Sequence, residues 1–273
     1  MKVFVLGSTG MLGRYVYCYF KQQGFDVIGT DRAALDATKA DNDMLDALGA
    51  GPGDIFINCI GVIKQRGDVA QHEFILVNSA FPIMLADYCQ EKEIKLIHVT
   101  TDCVFDGRQG RYQEEEKHTA TDIYGRSKSF GEPPNAAVIR TSIIGEELEN
   151  KVSLLEWVKS NKDQSVDGYI NHRWNGITCL QFAKVCEEMV NNNFYWQGVR
   201  HIHSPDDINK ADLVHLISNV YKLNVTVNPT MSEGEPVCDR TLSSIFLDGL
   251  SSIPTIEKQL LEQRNFNISD CGD

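Results

Sequence analysis

The sequence predicts an α/β protein, a doubly wound parallel sheet followed by a smaller C-terminal lobe. Three observations predict it. Apolar runs of four to seven residues alternate with helical patterns over the first two thirds of the chain, as parallel strands joined by crossover helices require. The chain opens on such a run, residues 2–6, which passes through Gly7, Gly10 and Gly13 directly into a helical stretch at about 14–23. At 273 residues it is long enough for one large domain, or for a domain plus a lobe.

Strand, glycine-rich turn and helix together make the anion-binding corner of a dinucleotide fold of Rossmann type. Gly7 permits the tight turn, Gly10 lets the backbone approach a pyrophosphate, and Gly13 allows the helix to pack closely on the strand. The helix start offers free N–H groups and a positive dipole end to phosphates. Gly7, Thr9, Gly10, Met11, Leu12 and Gly13 are therefore the first candidate cofactor residues. Their spacing is G-x-x-G-x-x-G rather than G-x-G-x-x-G, and a strand–helix turn with incidental glycines is the plain alternative. A second strand at 26–29 leads to Asp31 and Arg32, where such folds read the adenosine ribose. An acidic residue there bonds the 2′-hydroxyl of NAD, whereas an arginine accepts the 2′-phosphate of NADP. Both are present, and Arg32 can also simply stack on adenine, so NADPH is preferred with NADH still open.

A helix at 42–48 precedes the strand Ile55–Asn58. Helical patterns follow at 69–91, 122–132, 152–160 and 177–192, with strands at 95–100 and at Ala137–Thr141. Beyond about residue 193 the elements are shorter: a helix after Asn209, a strand near 224–227, and a loop marked by Pro229, Gly234 and Pro236 that leads to Arg240. These patterns divide the chain into a dinucleotide-binding domain at 1–145 and a substrate lobe at 146–273. About 165–192 is expected to return to the first domain.

The chemistry centres on Tyr124-Gly125-Arg126-Ser127-Lys128. On a helix, Tyr124 and Lys128 lie on one face. An ammonium beside a phenol lowers the phenol's pKa, so that it can exchange a proton with a carbonyl or alcohol near neutral pH. Thr101, or Thr100, on the preceding strand would hold the same oxygen. Spacing alone fits a surface helix face equally well.

Taken in order, Gly7, Gly10 and Gly13, Asn58, Thr100-Thr101-Asp102-Cys103-Val104-Phe105-Asp106-Gly107, Tyr124 to Lys128 with Gly131-Glu132, and Ile139-Arg140-Thr141-Ser142 resemble an extended short-chain dehydrogenase/reductase. Within that superfamily they are similar to the dTDP-4-dehydrorhamnose reductase branch. The likeness covers roughly the first 145 residues and is looser beyond. It implies reduction of the C4 ketone of a nucleotide-linked 4-keto-6-deoxy sugar, with Thr101, Tyr124 and Lys128 catalytic and Lys128 also holding the nicotinamide ribose. It also implies that Asn58 and Gly61 belong to the cofactor set. Lys64, Asp102, Cys103, Arg173 and Arg240 are candidate substrate residues, each with an ordinary surface or structural role as the alternative. Two departures bear on the sugar: Cys103 stands where the family usually has an aromatic residue, and 167–176 replaces its glycine- and proline-bearing stretch. A cysteine at this place also occurs in enzymes that couple 3,5-epimerisation to reduction, although neither Lys151 nor Glu156 makes a convincing acid/base partner. A redox-neutral epimerase and a non-catalytic dinucleotide-binding regulator complete the alternatives.

Composition agrees with a globular protein, at 42% apolar and 23% charged residues. A net charge of −12 without a basic stripe argues against a nucleic-acid partner. No apolar stretch approaches the roughly 18–20 residues of a membrane helix. The first strand begins at once and leaves no room for a signal peptide, so a cytoplasmic protein is expected. Its eight cysteines form no C-x-x-C pair and read as reduced thiols. His201 and His203 alternate along a strand without a third ligand, so no metal is expected. The resemblance allows a homodimer.

Overall fold

The computed structural model describes residues 1–64, 67, 69–149, 151–232, 237–246, 250–269 and 271. The chain runs β1 (Val3–Leu6), α1 (Met11–Gln22), β2 (Val27–Thr30), α2 (Asn42–Asp46) and β3 (Ile55–Asn58). Helix α3 (Gln71–Ile75) continues through a π turn, Leu76–Ala80, into α4 (Phe81–Glu91). Then come β4 (Lys95–Thr101), a 3-10 turn at Asp102–Val104, α5 (Ile123–Phe130) and β5 (Ala137–Thr141). The second half holds β6 (Ile143–Ile144), α6 (Leu154–Ser160), β7 (Ser165–Tyr169), β8 (His172–Trp174), β9 (Ile177–Thr178) and α7 (Cys179–Asn191). It ends with β10 (Gly198–His201), β11 (Ile208–Asn209), α8 (Lys210–Tyr221), β12 (Thr226–Thr230), β13 (Cys238–Asp239) and α9 (Ile256–Asn265).

Six strands form one sheet in the order β10-β5-β4-β3-β1-β2, and every pairing is parallel. From β1 the chain steps outward to β2, then returns to the other side with β3. The crevice at the carboxyl ends of β1 and β3 is thus the switch point where open α/β sheets bind ligands. Successive strand residues face opposite sides. Val3, Val5 and Ile57 pack beneath Tyr15 and Phe20 of α1 and Phe182 and Met189 of α7. Phe4, Leu6 and Phe56 pack on Phe81, Leu85 and Tyr88 of α4. A third core in the lobe joins Leu155, Val158, Trp174, Leu213, Ile217 and Leu260.

Three expectations are corrected. The stretch 165–192 does not return to the first domain as a whole. β7 pairs with β12 and β8 with β11 and β13, while α7 packs on α1 under the large sheet. The run at 69–91 is two helices joined by a π turn. Finally, Cys18 and Cys271 form a disulfide, 253 residues apart in sequence, so no short spacing could have revealed it. The chain after α9 returns along α1: Arg14 Nε donates to the Ile268 carbonyl at 2.9 Å, and Phe266 stacks on Tyr15 at 6.0 Å. The other six cysteines are not disulfide-bonded. His201 ends β10 and accepts from Arg140 Nη1 at 2.7 Å, while His203 lies beyond the strand. Gly234 and Pro236 lie outside the described residues. No helix among the described residues is long and apolar enough to cross a membrane.

Candidate active site

The glycine corner forms because each glycine meets a different steric demand. Gly7 has φ +78°, in the left-handed region that side chains disfavour. A Cβ at Gly13 would lie 2.1 Å from the Gly7 carbonyl oxygen, so only glycine lets α1 sit this close to β1. Helix α1 starts at Gly10 with no side-chain cap, which leaves the N–H groups of its first turn available to an anion. The side chains of Met11 and Leu12 turn into the core, so these two residues offer backbone rather than side chain.

A cleft of about 480 Å³ runs from Gly7, Thr9 and Gly10 past Asp31 and Arg32 to Cys59, Ile60 and Gly61. Asp31 accepts from Ala34 N at 2.8 Å, so part of its carboxylate is committed to a turn. Arg32 pairs with Asp36 at 3.6 Å and is 69% exposed. Asn58 is buried and braces the loop after β3: its Oδ1 accepts from Ile60 N at 3.0 Å, and its amide meets His98 Nδ1 at 3.1 Å. Gly61 lies against the ammonium of Lys128, where an added Cβ would be 3.1 Å from Nζ. The uncapped helix start, the glycine approach and the cleft fit a dinucleotide.

The Asp122 carboxylate caps α5 by accepting from Gly125 N at 3.0 Å, and so aims Tyr124 and Lys128 toward β4. Tyr124 lies within hydrogen-bonding reach of the Thr101 side chain. Thr101 Oγ1 accepts from Cys103 N at 3.2 Å and donates to Asp102 Oδ1 at 3.1 Å. The expected lowering of the Tyr124 pKa by Lys128 is not found. Burial raises it, with Cys103, Asp102 and Asp122 adding to the effect and Thr101 opposing it. Lys128 is buried, and desolvation pulls its pKa down to about 8, against the attraction of Glu132 and Cys59.

Asn78 went unnoticed in the sequence. It sits buried in the π turn, where Oδ1 accepts from Val62 N and Nδ2 donates to the Val62 carbonyl, each at 2.9 Å. Nδ2 also reaches Ser127 Oγ at 3.2 Å, clamping the loop after β3 to α5. The signal was a lone amide inside an otherwise apolar helical run. Below the site, the fully buried Arg140 forks onto Glu132 and donates to His201 and His118.

On the substrate side, Asp102 is buried and its pKa is raised by desolvation, with Arg240 and Thr101 opposing. The Cys103 thiol is pushed up to about 12, chiefly by burial and then by Asp102. Arg240 donates through Nε to the Phe105 carbonyl at 2.9 Å and faces Asp102, Cys103 and Asp122. Lys64 pairs with Asp122 at 2.9 Å, beside the start of α5. Arg173 instead pairs with Asp207 and, at 3.9 Å, with Asp239, so its charge is used within the lobe. Lys210, also missed in the sequence, reaches toward Asp102 and Cys103 from the first position of α8.

The profile of the RmlD substrate binding domain family matches residues 1–244. The chain belongs to that family, one of the extended short-chain dehydrogenase/reductases. Among curated relatives it is 31% identical over 180 residues to the probable low-salt glycan biosynthesis reductase Agl14 of Haloferax volcanii, covering 59% of this chain and 60% of that one. It is 27% identical over 243 residues to the methionine adenosyltransferase 2 subunit beta of Danio rerio, covering 81% of this chain and 74% of that protein. The fold is shared with the dTDP-4-dehydrorhamnose reductase from Bacillus anthracis, solved in complex with NADP. That structure has a TM-score of 0.80 at 19% identity, with 96% of this chain and 98% of that one covered.

Proposed function

We propose that this RmlD-family protein reduces the C4 ketone of a nucleotide-linked 4-keto-6-deoxy sugar, using NADPH in preference to NADH. The observation that carries the reading is the convergence of Thr101, Tyr124 and Lys128 at the carboxyl end of β4, beside the glycine corner. The bound nicotinamide would supply the hydride. Gly7, Gly10, Gly13 and the first turn of α1 would hold its pyrophosphate, and Lys128 the nicotinamide ribose. Tyr124 would give the ketone oxygen its proton, with Thr101 fixing that oxygen by a second hydrogen bond. A reduction needs the phenol protonated at the outset, and burial favours that form. The NADPH preference draws support from Arg32, exposed at the cleft while Asp31 is tied to Ala34 N.

A non-catalytic regulator is favoured by one observation, the 81% of the chain that aligns with an adenosyltransferase β subunit. The complete Thr101, Tyr124 and Lys128 set weighs against it, since a binding subunit has no use for a proton donor. Against a coupled epimerase stands the Cys103 thiol, too weakly acidic to serve as a base near neutral pH. A homodimer draws support from Ile75 and the 75% exposed Phe130, which border one apolar hollow with Ile83 and Met84. The Cys18–Cys271 disulfide bears against a cytoplasmic setting, where thiols stay reduced; thiol trapping in fresh extracts decides that point.

The test is to offer NADPH with a panel of nucleotide-linked 4-keto-6-deoxy sugars and follow cofactor and product. One cofactor consumed per sugar reduced is expected. Sugar conversion without net consumption would favour an epimerase, and tight NADPH binding without turnover a regulator.

A further inference from the structure

Among the described residues Arg140, near the end of β5, is the largest side chain shut completely inside the fold. Burying a charge costs free energy unless it is paired and hydrogen-bonded. Its partner is Glu132: Nε donates to Oε1 at 3.0 Å and Nη2 to Oε2 at 2.6 Å, a fork that takes both carboxylate oxygens. Nη1 and Nη2 also donate to His201 and His118, each at 2.7 Å, and the guanidinium lies over the Phe105 ring. His118 carries the contact on to α5, since its Nδ1 meets Ser129 Oγ. Arg140 thus grips the helix of Tyr124 and Lys128 by two routes.

The place of Glu132 in the chain gives this ion pair a second meaning. It stands four residues after Lys128, the spacing at which an ammonium and a carboxylate pair on a helix. They do not pair here. Helix α5 stops at Phe130, and Gly131 presses so closely on the π turn that a Cβ would lie 1.7 Å from the Asn78 carbonyl oxygen. Glu132 is carried off the helix to Arg140, and among the described residues the buried Lys128 has no salt bridge. The other groups acting on its ammonium offer no charge near neutral pH. Burial raises the Cys59 thiol after β3 and lowers His98 of β4, which leaves both neutral, and it keeps Tyr124 protonated one turn earlier. Among the described residues, Glu132 is the carboxylate that draws on Lys128.

We propose that Arg140 is a positioning residue for hydride transfer: it occupies both oxygens of Glu132 and so leaves the Lys128 ammonium free to meet the cofactor. The proposal rests on the reductase reading above, in which Lys128 holds the nicotinamide ribose, and adds the group that keeps Lys128 available. A released Glu132 would draw the ammonium away from Gly61 and the cleft.

The test is NADPH affinity by calorimetry, from neutral to alkaline pH, in the full chain and three variants: Arg140→Met, Arg140→Lys, and Arg140→Met combined with Glu132→Gln. In the unmodified protein affinity should fall above about pH 8, where Lys128 loses its proton. In Arg140→Met the freed carboxylate should weaken NADPH at neutral pH by at least about tenfold, the loss of a charged hydrogen bond. It should also hold the Lys128 proton longer and move the alkaline fall up by roughly one pH unit. Removing the carboxylate as well, in the double variant, should restore both. Arg140→Lys keeps the charge but cannot fork, and should fall between. An arginine that merely holds the fold together would cost stability but leave the alkaline fall at its wild-type pH, and that result overturns the proposal. So does a double variant as impaired as Arg140→Met. If Arg140→Met does not fold, a wild-type pH profile in Arg140→Lys overturns it. Failure of the unmodified protein to bind NADPH would instead overturn the reductase reading, and this inference with it.

Discussion

The proposed cofactor and substrate sides of the site flank Thr101 and Tyr124, and they differ in what they offer a ligand. The cofactor side is mostly backbone: Gly7, Gly10, Gly13 and the uncapped start of α1 stand against the tight sheet packing of β1 and β3. Its side-chain charges, Asp31, Arg32 and Asp36, are exposed or already engaged with one another. The proposed substrate side is mostly side chain: Asp102, Cys103, Lys210 and Arg240 lie close enough to shift one another's proton affinity. Backbone donors are fixed by the fold and tolerate little change.

The sharpest way to break this division is at the residue both sides share. Tyr124→Phe removes the phenol but leaves the glycine corner intact. Reduction should fall by roughly a hundred- to ten-thousand-fold, the range of general acid catalysis, while NADPH affinity holds. A variant that keeps half the wild-type single-turnover rate would remove Tyr124 from the mechanism.

Arg32→Ala probes the charge proposed to favour NADPH over NADH. Its loss should weaken NADPH by about 1.5–3 kcal/mol if the guanidinium meets the 2′-phosphate, with the exposed position favouring the lower end. Equal weakening of both cofactors would show that Arg32 only stacks on adenine.

The layer under both sides can be tested by pH. His201 Nδ1–H faces the carbonyls of Tyr112 and Ser243, while Nε2 accepts from Arg140, so the ring is held neutral. Burial and Arg140 push its pKa down to about 4, against Glu114. The unfolded chain therefore binds the proton first, at about pH 6.5, and stability is lost as pH falls from there toward 4. The slope is at most about 1.4 kcal/mol per pH unit for this one group. His201→Gln, which keeps an acceptor for Arg140, should flatten the acid side of a denaturation series by about one proton. An unchanged slope would assign that proton to His98 or His118, whose pKa values are also lowered.

Cys103→Ser should have the smallest effect. With the thiol pushed up to about 12, no base is available there near neutral pH. Reduction in deuterated water should leave no deuterium at C3 or C5, and the variant should keep most of the reductase rate. Deuterium at either carbon, abolished by the substitution, would promote the epimerase-reductase reading.

The same division explains what could be read from the sequence. The glycine corner, Asn58, and the Thr101, Tyr124 and Lys128 set each lie within one strand–loop–helix unit, so their order and spacing carry the geometry. Lys210 and Arg240 reach the site only because β8 pairs with β11 and β13, contacts between strands of two or three residues with no pattern of their own. The Cys18–Cys271 bridge and α9 depend on a chain end folding back on its start. The sign of the Tyr124 shift differs from the expectation for a related reason. Spacing gave the nearest ammonium, but burial, which no short motif reports, outweighs it.

The central claim, that this cleft moves a hydride to a sugar ketone, is tested most directly with NADPH deuterated at nicotinamide C4. A nucleotide-linked 4-keto-6-deoxy sugar reduced in a single turnover should carry deuterium at C4 of the sugar and nowhere else, in proportion to the cofactor oxidised. A protein that binds the cofactor tightly and returns it with its deuterium intact, whichever sugar of the panel is offered, would contradict the account.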